Sequence, residues 1–192
     1  MRRVPGPLVR VCVTGPESTG KTTLARQLAE SCGGELVLEV SRLYAEHRGA
    51  ELLASDVHPI ARAHLALADA AAERARTRGA RLLVLDTDLV STLVYTRHYN
   101  DTAPRWIERA ERDRRADLYL LCDVDVPWVA DGVRDRPANR EQMYDLFRRA
   151  LERRHATVVR VHGSWTDRWM LARETVRALQ RQPPRLARRV RK

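Results

Sequence analysis

Leu8-Val9-Arg10-Val11-Cys12-Val13-Thr14-Gly15-Pro16-Glu17-Ser18-Thr19-Gly20-Lys21-Thr22-Thr23 is the stretch that decides the fold. Leu8 to Val13 form an apolar, strand-like run, and Gly15 to Thr22 match the Walker A spacing G-x-x-x-x-G-K-[ST]. In that spacing the glycines let the backbone curl so that successive N–H groups point at phosphate oxygens. The helix that follows adds the positive end of its dipole. Helical periodicity does follow, from Thr22 to Ala29. Gly15, Pro16, Glu17, Ser18, Thr19, Gly20, Lys21, Thr22 and Thr23 are therefore the candidate ATP-binding set, with Lys21 reaching the β- and γ-phosphates and the Thr22 hydroxyl ligating Mg²⁺.

Further strand-like runs fall at Glu35 to Glu39, Arg81 to Leu85, Leu118 to Cys122 and Thr157 to Val161, with helical patterns between them. That alternation predicts an α/β fold with a parallel sheet covered on both faces. A helix is expected from a cap at Ser55 to Arg78, stopped by Gly79. Met143, Leu146, Phe147, Ala150 and Leu151 form one apolar stripe, and Trp165, Trp169, Ala172, Val176 and Leu179 form a second. Both stripes read as core faces. Residues 1–180 then make one domain, and Pro183-Pro184 sets off a basic tail at 181–192.

The acids are placed by the strands. Leu82-Leu83-Val84-Leu85-Asp86-Thr87-Asp88 puts two carboxylates after the third run, and on an extended backbone residues 86 and 88 point the same way. Asp86 fits a metal-side acid and Asp88 a substrate-side group, although capping of the helix that begins near Leu89 is open to either one. The second run leads into Leu38-Glu39-Val40-Ser41-Arg42, which sets Glu39 and Arg42 toward the same crevice. There Glu39 either takes the proton of an attacking hydroxyl or simply pairs with Arg42. After the fourth run, residues 123–140 are rich in turn formers, acids and arginines, as in a mobile lid. Arg134, Arg136 and Arg140 either neutralise the transferring phosphoryl group or belong to a solvated loop.

Composition narrows the function classes. The 192 residues are 44% hydrophobic and carry a net charge of +10. Six of the 35 basic residues lie in the acid-free tail, so the other 29 against 25 acids leave +4, unremarkable for a domain that binds ATP. A solvated tail is the expectation, and a nucleic-acid partner is not expected. Only Lys21 and Lys192 are lysine, so a compact ammonium is kept at the phosphate loop in a chain that otherwise uses arginine. No apolar run approaches a membrane span of about 20 residues, and no signal-like segment opens the sequence, so the protein is expected to be cytoplasmic. Cys12, Cys32 and Cys122 lack metal-ligand spacing and read as free thiols.

Four blocks together resemble the ribosylnicotinamide kinase domain of NadR-type proteins: residues 15–23, Glu39 with Arg42, Leu85-Asp86-Thr87-Asp88-Leu89-Val90-Ser91-Thr92, and residues 126–135 with their Trp128-Val129-Ala130-Asp131-Gly132-Val133-Arg134 core. They keep the family's order over roughly residues 10–165. The resemblance implies a P-loop NTPase of the nucleoside/nucleotide kinase type. Its fold would be a three-layer sandwich with a five-stranded parallel sheet and a lid after strand 4. It also implies transfer of the γ-phosphate of ATP, with Mg²⁺, to the 5′-hydroxyl of nicotinamide riboside, with Lys21, Glu39, Asp88 and Arg134 in catalytic roles. Where the family carries an aromatic beside the second-strand acid, this chain has Val40 and Ser41. Stacking on the ring then falls to Tyr44, Tyr95, Tyr99, Trp106 or Trp128. Two alternatives remain beside this one: a kinase for another nucleoside or nucleotide, and a regulator that binds ATP or NAD without turnover.

Overall fold

The computed structural model describes residues 7–128 and 139–182. Five strands, β1 (Val9–Thr14), β2 (Glu35–Val37), β3 (Leu82–Asp86), β4 (Leu118–Cys122) and β5 (Val158–Val161), form one sheet in the order β2-β3-β1-β4-β5. Every pairing is parallel. Among the described residues seven α-helices connect and cover them: α1 (Lys21–Cys32), α2 (Val40–Arg48), α3 (Val57–Arg78), α4 (Leu89–Asn100), α5 (Arg105–Asp113), α6 (Arg140–Glu152) and α7 (Trp165–Arg181).

Strand alternation sorts the core into two layers. Cys12, Leu83, Leu85, Tyr119 and Leu121 face the buried stripes of α3, α4 and α6, where Ala71, Val90, Phe147 and Leu151 are fully or almost fully buried. Val11, Val13, Leu82, Val84 and Leu120 face α1 and α7 through Leu24, Leu28, Ala172 and Val176. The result is the three-layer sandwich expected from the alternating strand and helix patterns. Cys12 and Cys122 are buried free thiols and Cys32 is half-buried. Among the described residues no helix is long and apolar enough to cross a membrane.

Three local expectations are corrected. β2 ends at Val37 rather than Glu39, because its pairing with β3 stops with Val37 opposite Leu85. Glu39 instead stands at the N-cap of α2. α3 is not capped by Ser55: residues Ala54–Asp56 form a 3₁₀ turn, and the Asp56 carboxylate accepts from the Leu53 N–H at 2.7 Å. The helix does end at Gly79, which takes the left-handed conformation at φ 70°. Trp165 is not part of the core face of α7. It is 38% exposed, and a ring atom lies 3.0 Å from where a Cβ on Gly20 would stand, so the indole leans on the phosphate loop.

Candidate active site

The loop between β1 and α1 sits at the carboxyl ends of the strands. Gly15 has φ 132°, and a side chain there would bring its Cβ within 2.7 Å of the Cys122 carbonyl oxygen, so the loop can leave β1 beside β4 only as glycine. Gly20 (φ 79°) and Ser18 (φ 51°) supply the other left-handed turns. Inside the curl, Lys21 is 7% exposed and donates from Nζ to the Pro16 carbonyl at 2.7 Å, while Thr19 Oγ1 donates to the same oxygen at 2.8 Å. Thr22 is half-buried and Thr23 is exposed.

Asp86, the last residue of β3, faces this loop. It is 1% exposed, and neither carboxylate oxygen has a hydrogen-bond partner among the described residues. Burial, and next the nearby charge of Glu39, push its carboxyl up to about 6, against the pull of Thr22, Lys21 and Arg42. A buried carboxylate with both oxygens unmet, next to a threonine hydroxyl, has the donor chemistry of a Mg²⁺ site. Mg²⁺ is usually held by one or two protein oxygens together with phosphate and water.

Asp88 does not share that aspect. Thr87 takes φ 66°, so the chain turns between the two acids and the extended alternation that would align them is lost. Asp88 instead caps α4, accepting from the Val90 N–H at 2.9 Å, and its other oxygen accepts from the buried Tyr119 hydroxyl at 2.9 Å. Burial pushes its carboxyl to about 6 while those bonds pull it down. Of the two acids, then, Asp88 is the cap.

Beside the loop opens a cavity of about 400 Å³. Its wall takes Glu17 from the phosphate loop, Glu39 and Ser41 from the start of α2, Glu51 to Ala54 from the connection that follows, Val57, Ile60 and His64 from α3, and Asp88, Tyr95 and Tyr99 from the β3–α4 segment. Glu39 is 7% exposed and accepts from the Ser41 hydroxyl at 3.0 Å. Four carboxylates line the cavity, and among the described lining residues there is no lysine or arginine. Arg42 pairs with Glu46 one turn along α2 and lies within electrostatic reach of Asp86.

Of the five aromatics that the sequence offered for ring stacking, Tyr95 and Tyr99 line the cavity, with ring centroids 6.3 Å apart and planes at 11°. Tyr44 reaches away to Asp56, Trp106 donates to His58 Nδ1 at 3.0 Å, and Trp128 lies beyond β4 outside the cavity wall. Arg140 opens α6 and donates to the carbonyls of Val126 at 3.1 Å and Ser18 at 3.3 Å, tying the start of α6 to the phosphate loop. Arg134 and Arg136 lie outside the described residues.

Sequence reading missed Arg168. Its guanidinium is 1% exposed and donates to the carbonyls of Gly163, Thr19 and Asp123 at 3.0, 3.2 and 3.2 Å, and it pairs with Asp125. One side chain of α7 thus joins the phosphate loop to the ends of β4 and β5. Its position in a charged surface helix gave no local signal.

A parallel five-stranded sheet, a glycine loop closed on a buried lysine, and an acid at the end of the adjacent strand define a P-loop protein of the kinase-like type. The chain belongs to the AAA domain family, whose model matches residues 10–168. It is 30% identical over 176 residues to the trifunctional NAD biosynthesis/regulator protein NadR of Escherichia coli, covering 88% of this chain and 42% of that protein. It is also 30% identical to the NadR of Salmonella typhimurium over 148 residues, 72% of this chain and 35% of that one. The chain therefore spans less than half the length of the curated relatives it matches. Among solved structures it resembles a NadR protein in complex with NR (TM-score 0.74, 25% identity, 94% of this chain and 54% of that chain) and a NadR protein in complex with NAD and AMP-PNP (TM-score 0.70, 25% identity, 94% and 52%). A thymidylate kinase from Ehrlichia chaffeensis shares the fold (TM-score 0.63, 15% identity, 90% of this chain and 99% of that chain).

Proposed function

We propose that this chain is an ATP-dependent kinase that phosphorylates the 5′-hydroxyl of nicotinamide riboside to give nicotinamide mononucleotide. The observation that carries the reading is the cavity beside the phosphate loop, whose described wall has four carboxylates and no cationic side chain. A phosphorylated acceptor needs arginine or lysine to hold its phosphate, whereas a cationic pyridinium riboside is favoured by acids. The likeness to a NadR structure bound to NR supports the same acceptor.

In this reading the phosphate loop cradles the triphosphate through its backbone N–H groups. Lys21 leaves the Pro16 carbonyl to meet the β- and γ-phosphates. Thr22 and Asp86 would hold Mg²⁺, which when bound neutralises charge on the phosphates during transfer. The acceptor 5′-oxygen attacks the γ-phosphorus, the bond from that phosphorus to the oxygen bridging to the β-phosphate breaks, and ADP leaves. Glu39 takes the hydroxyl proton. It suits that task better than Asp88, because both oxygens of Asp88 already accept hydrogen bonds while Glu39 is near enough to raise the Asp86 carboxyl. Arg134 and Arg136 are proposed to meet the transferring group from the lid.

The test is ADP release with Mg·ATP across nicotinamide riboside, the common ribo- and deoxyribonucleosides, nicotinamide mononucleotide and no acceptor. Turnover highest with nicotinamide riboside and absent with the mononucleotide is expected. Preference for another nucleoside moves the assignment within the fold, and no acceptor-dependent ADP release at all points to a nucleotide-binding regulator.

A further inference from the structure

His64 stands on α3 between Ile60 and Ala68, on a buried stripe otherwise made of isoleucine and alanine. It is 7% exposed, and its imidazole has no hydrogen-bond partner among the described residues. It borders the acceptor cavity on one side and, on the other, a much smaller cavity that it shares with Arg10, Asp88 and Glu111. Among the described residues neither ring nitrogen of His64 is an enclosed atom without a partner, so the donor and acceptor of the ring open to the cavity and are met by whatever occupies it. A ligand in the cavity would meet them.

The chemistry of that ligand is limited by the surroundings. Burial, and then the charge of Arg10, push the His64 imidazolium down to about 4, so near neutrality the ring offers one donor and one acceptor and no charge. It therefore cannot act as the missing cation of the acid-lined wall. Cationic and hydroxyl-donating parts of an acceptor are served by the carboxylates. A neutral imidazole adds what they lack, a donor that can meet a carbonyl or hydroxyl oxygen.

We propose that His64 is a specificity-determining residue of the acceptor site, hydrogen-bonding through its imidazole to an uncharged group of the acceptor, the ring carboxamide or a ribose hydroxyl. The inference rests on the reading of this cavity as the acceptor site of a riboside kinase. His64 lies outside the phosphate-transfer machinery, so ATP use should be indifferent to it.

The test is a cycle of ligand and side-chain deletions on the full chain. ADP release is measured with Mg·ATP and four acceptors: nicotinamide riboside, the pyridinium riboside lacking the carboxamide, and the 2′-deoxy and 3′-deoxy forms of nicotinamide riboside. The proteins are wild type, His64→Leu, His64→Phe and His64→Asn, so that misfolding of one apolar variant leaves the other. Wild type should disfavour one analogue about tenfold or more in kcat/KM, the effect of one well-made hydrogen bond. His64→Leu and His64→Phe should lose about tenfold on nicotinamide riboside through KM, lose nothing on that one analogue, and keep the KM for ATP. His64→Asn, which retains a donor and an acceptor, should recover part of the loss. Which analogue is spared says whether the carboxamide or a hydroxyl is read. Equal losses on all four acceptors, or no loss on any, overturn the proposal. Failure of the wild type to phosphorylate nicotinamide riboside is a different result, and it sinks the proposed function together with this inference.

Discussion

Replacement of Asp86 by asparagine should make the ligand-free protein more stable while removing its activity. Asp86 is 1% exposed with neither oxygen bonded, and its carboxyl titrates near 6 instead of 3.8. A raised carboxyl binds its proton more tightly folded than unfolded. Its stabilisation is thus full below the unfolded value and is lost as pH rises from about 4 through about 6. That difference corresponds to about 3 kcal/mol, which asparagine, being uncharged at every pH, does not forfeit. For a domain of this size that amounts to a rise of roughly 5–10 °C in melting temperature. Melting followed by circular dichroism in EDTA should therefore show Asp86→Asn above wild type at pH 8, with the gap closing as pH falls from about 6 to about 4. In Mg·ATP the same variant should lose acceptor-dependent ADP release by about a hundredfold or more, because the charge it lacks is the one the metal needs. If Asp86→Asn melts below wild type at pH 8, or keeps its Mg²⁺-dependent turnover, Asp86 is an ordinary core acid and the metal assignment is wrong.

Lys21→Ala should leave the melting temperature nearly unchanged and lower kcat by at least about a hundredfold, since it removes a cation from the developing charge at the γ-phosphate; turnover near wild type would refute the phosphate-loop mechanism. Glu39→Gln should abolish most acceptor turnover with ATP affinity intact, whereas Asp88→Ala should show mainly as destabilisation of about 2 kcal/mol or more, from loss of the α4 cap and of the acceptor for the Tyr119 hydroxyl. Denaturant midpoints and ADP release on both variants check this, and normal turnover by Glu39→Gln would return the base to Asp88. Arg168→Lys should stay folded but raise the KM for ATP about tenfold without changing the KM of the acceptor, because an ammonium cannot span Thr19, Asp123 and Gly163 together. An equal rise in both KM values would mean that Arg168 supports the domain as a whole rather than the phosphate loop.

Much of this protein was readable along the chain, and the reason is that the relevant physics is local. Gly15, Gly20 and Lys21 announce a phosphate loop because the turn, its left-handed residues and the helix start all fall within eight residues. The five strands and the buried stripe Met143, Phe147, Ala150 and Leu151 are legible because burial imposes a period on neighbouring residues. What lay beyond reach were pairings across the sheet and short departures from regular backbone. The left-handed Thr87 turns Asp88 away from Asp86 and into a cap, although the dipeptide spacing promised a shared crevice. The end of the β2 ladder at Val37 hands Glu39 to a helix. Trp165 fits a helical core stripe on paper and leans on Gly20 in the fold. Arg168 and His64 looked like one more arginine in a basic helix and one more polar residue in an alanine-rich one. Their environments are built by residues as far off as Thr19 and Asp88, and only the sheet order β2-β3-β1-β4-β5 brings those together. A sequence records which side chains are present and how often they recur, while the desolvation and the hydrogen-bond partners that give a buried ion or imidazole its job exist only once the layers have closed around it.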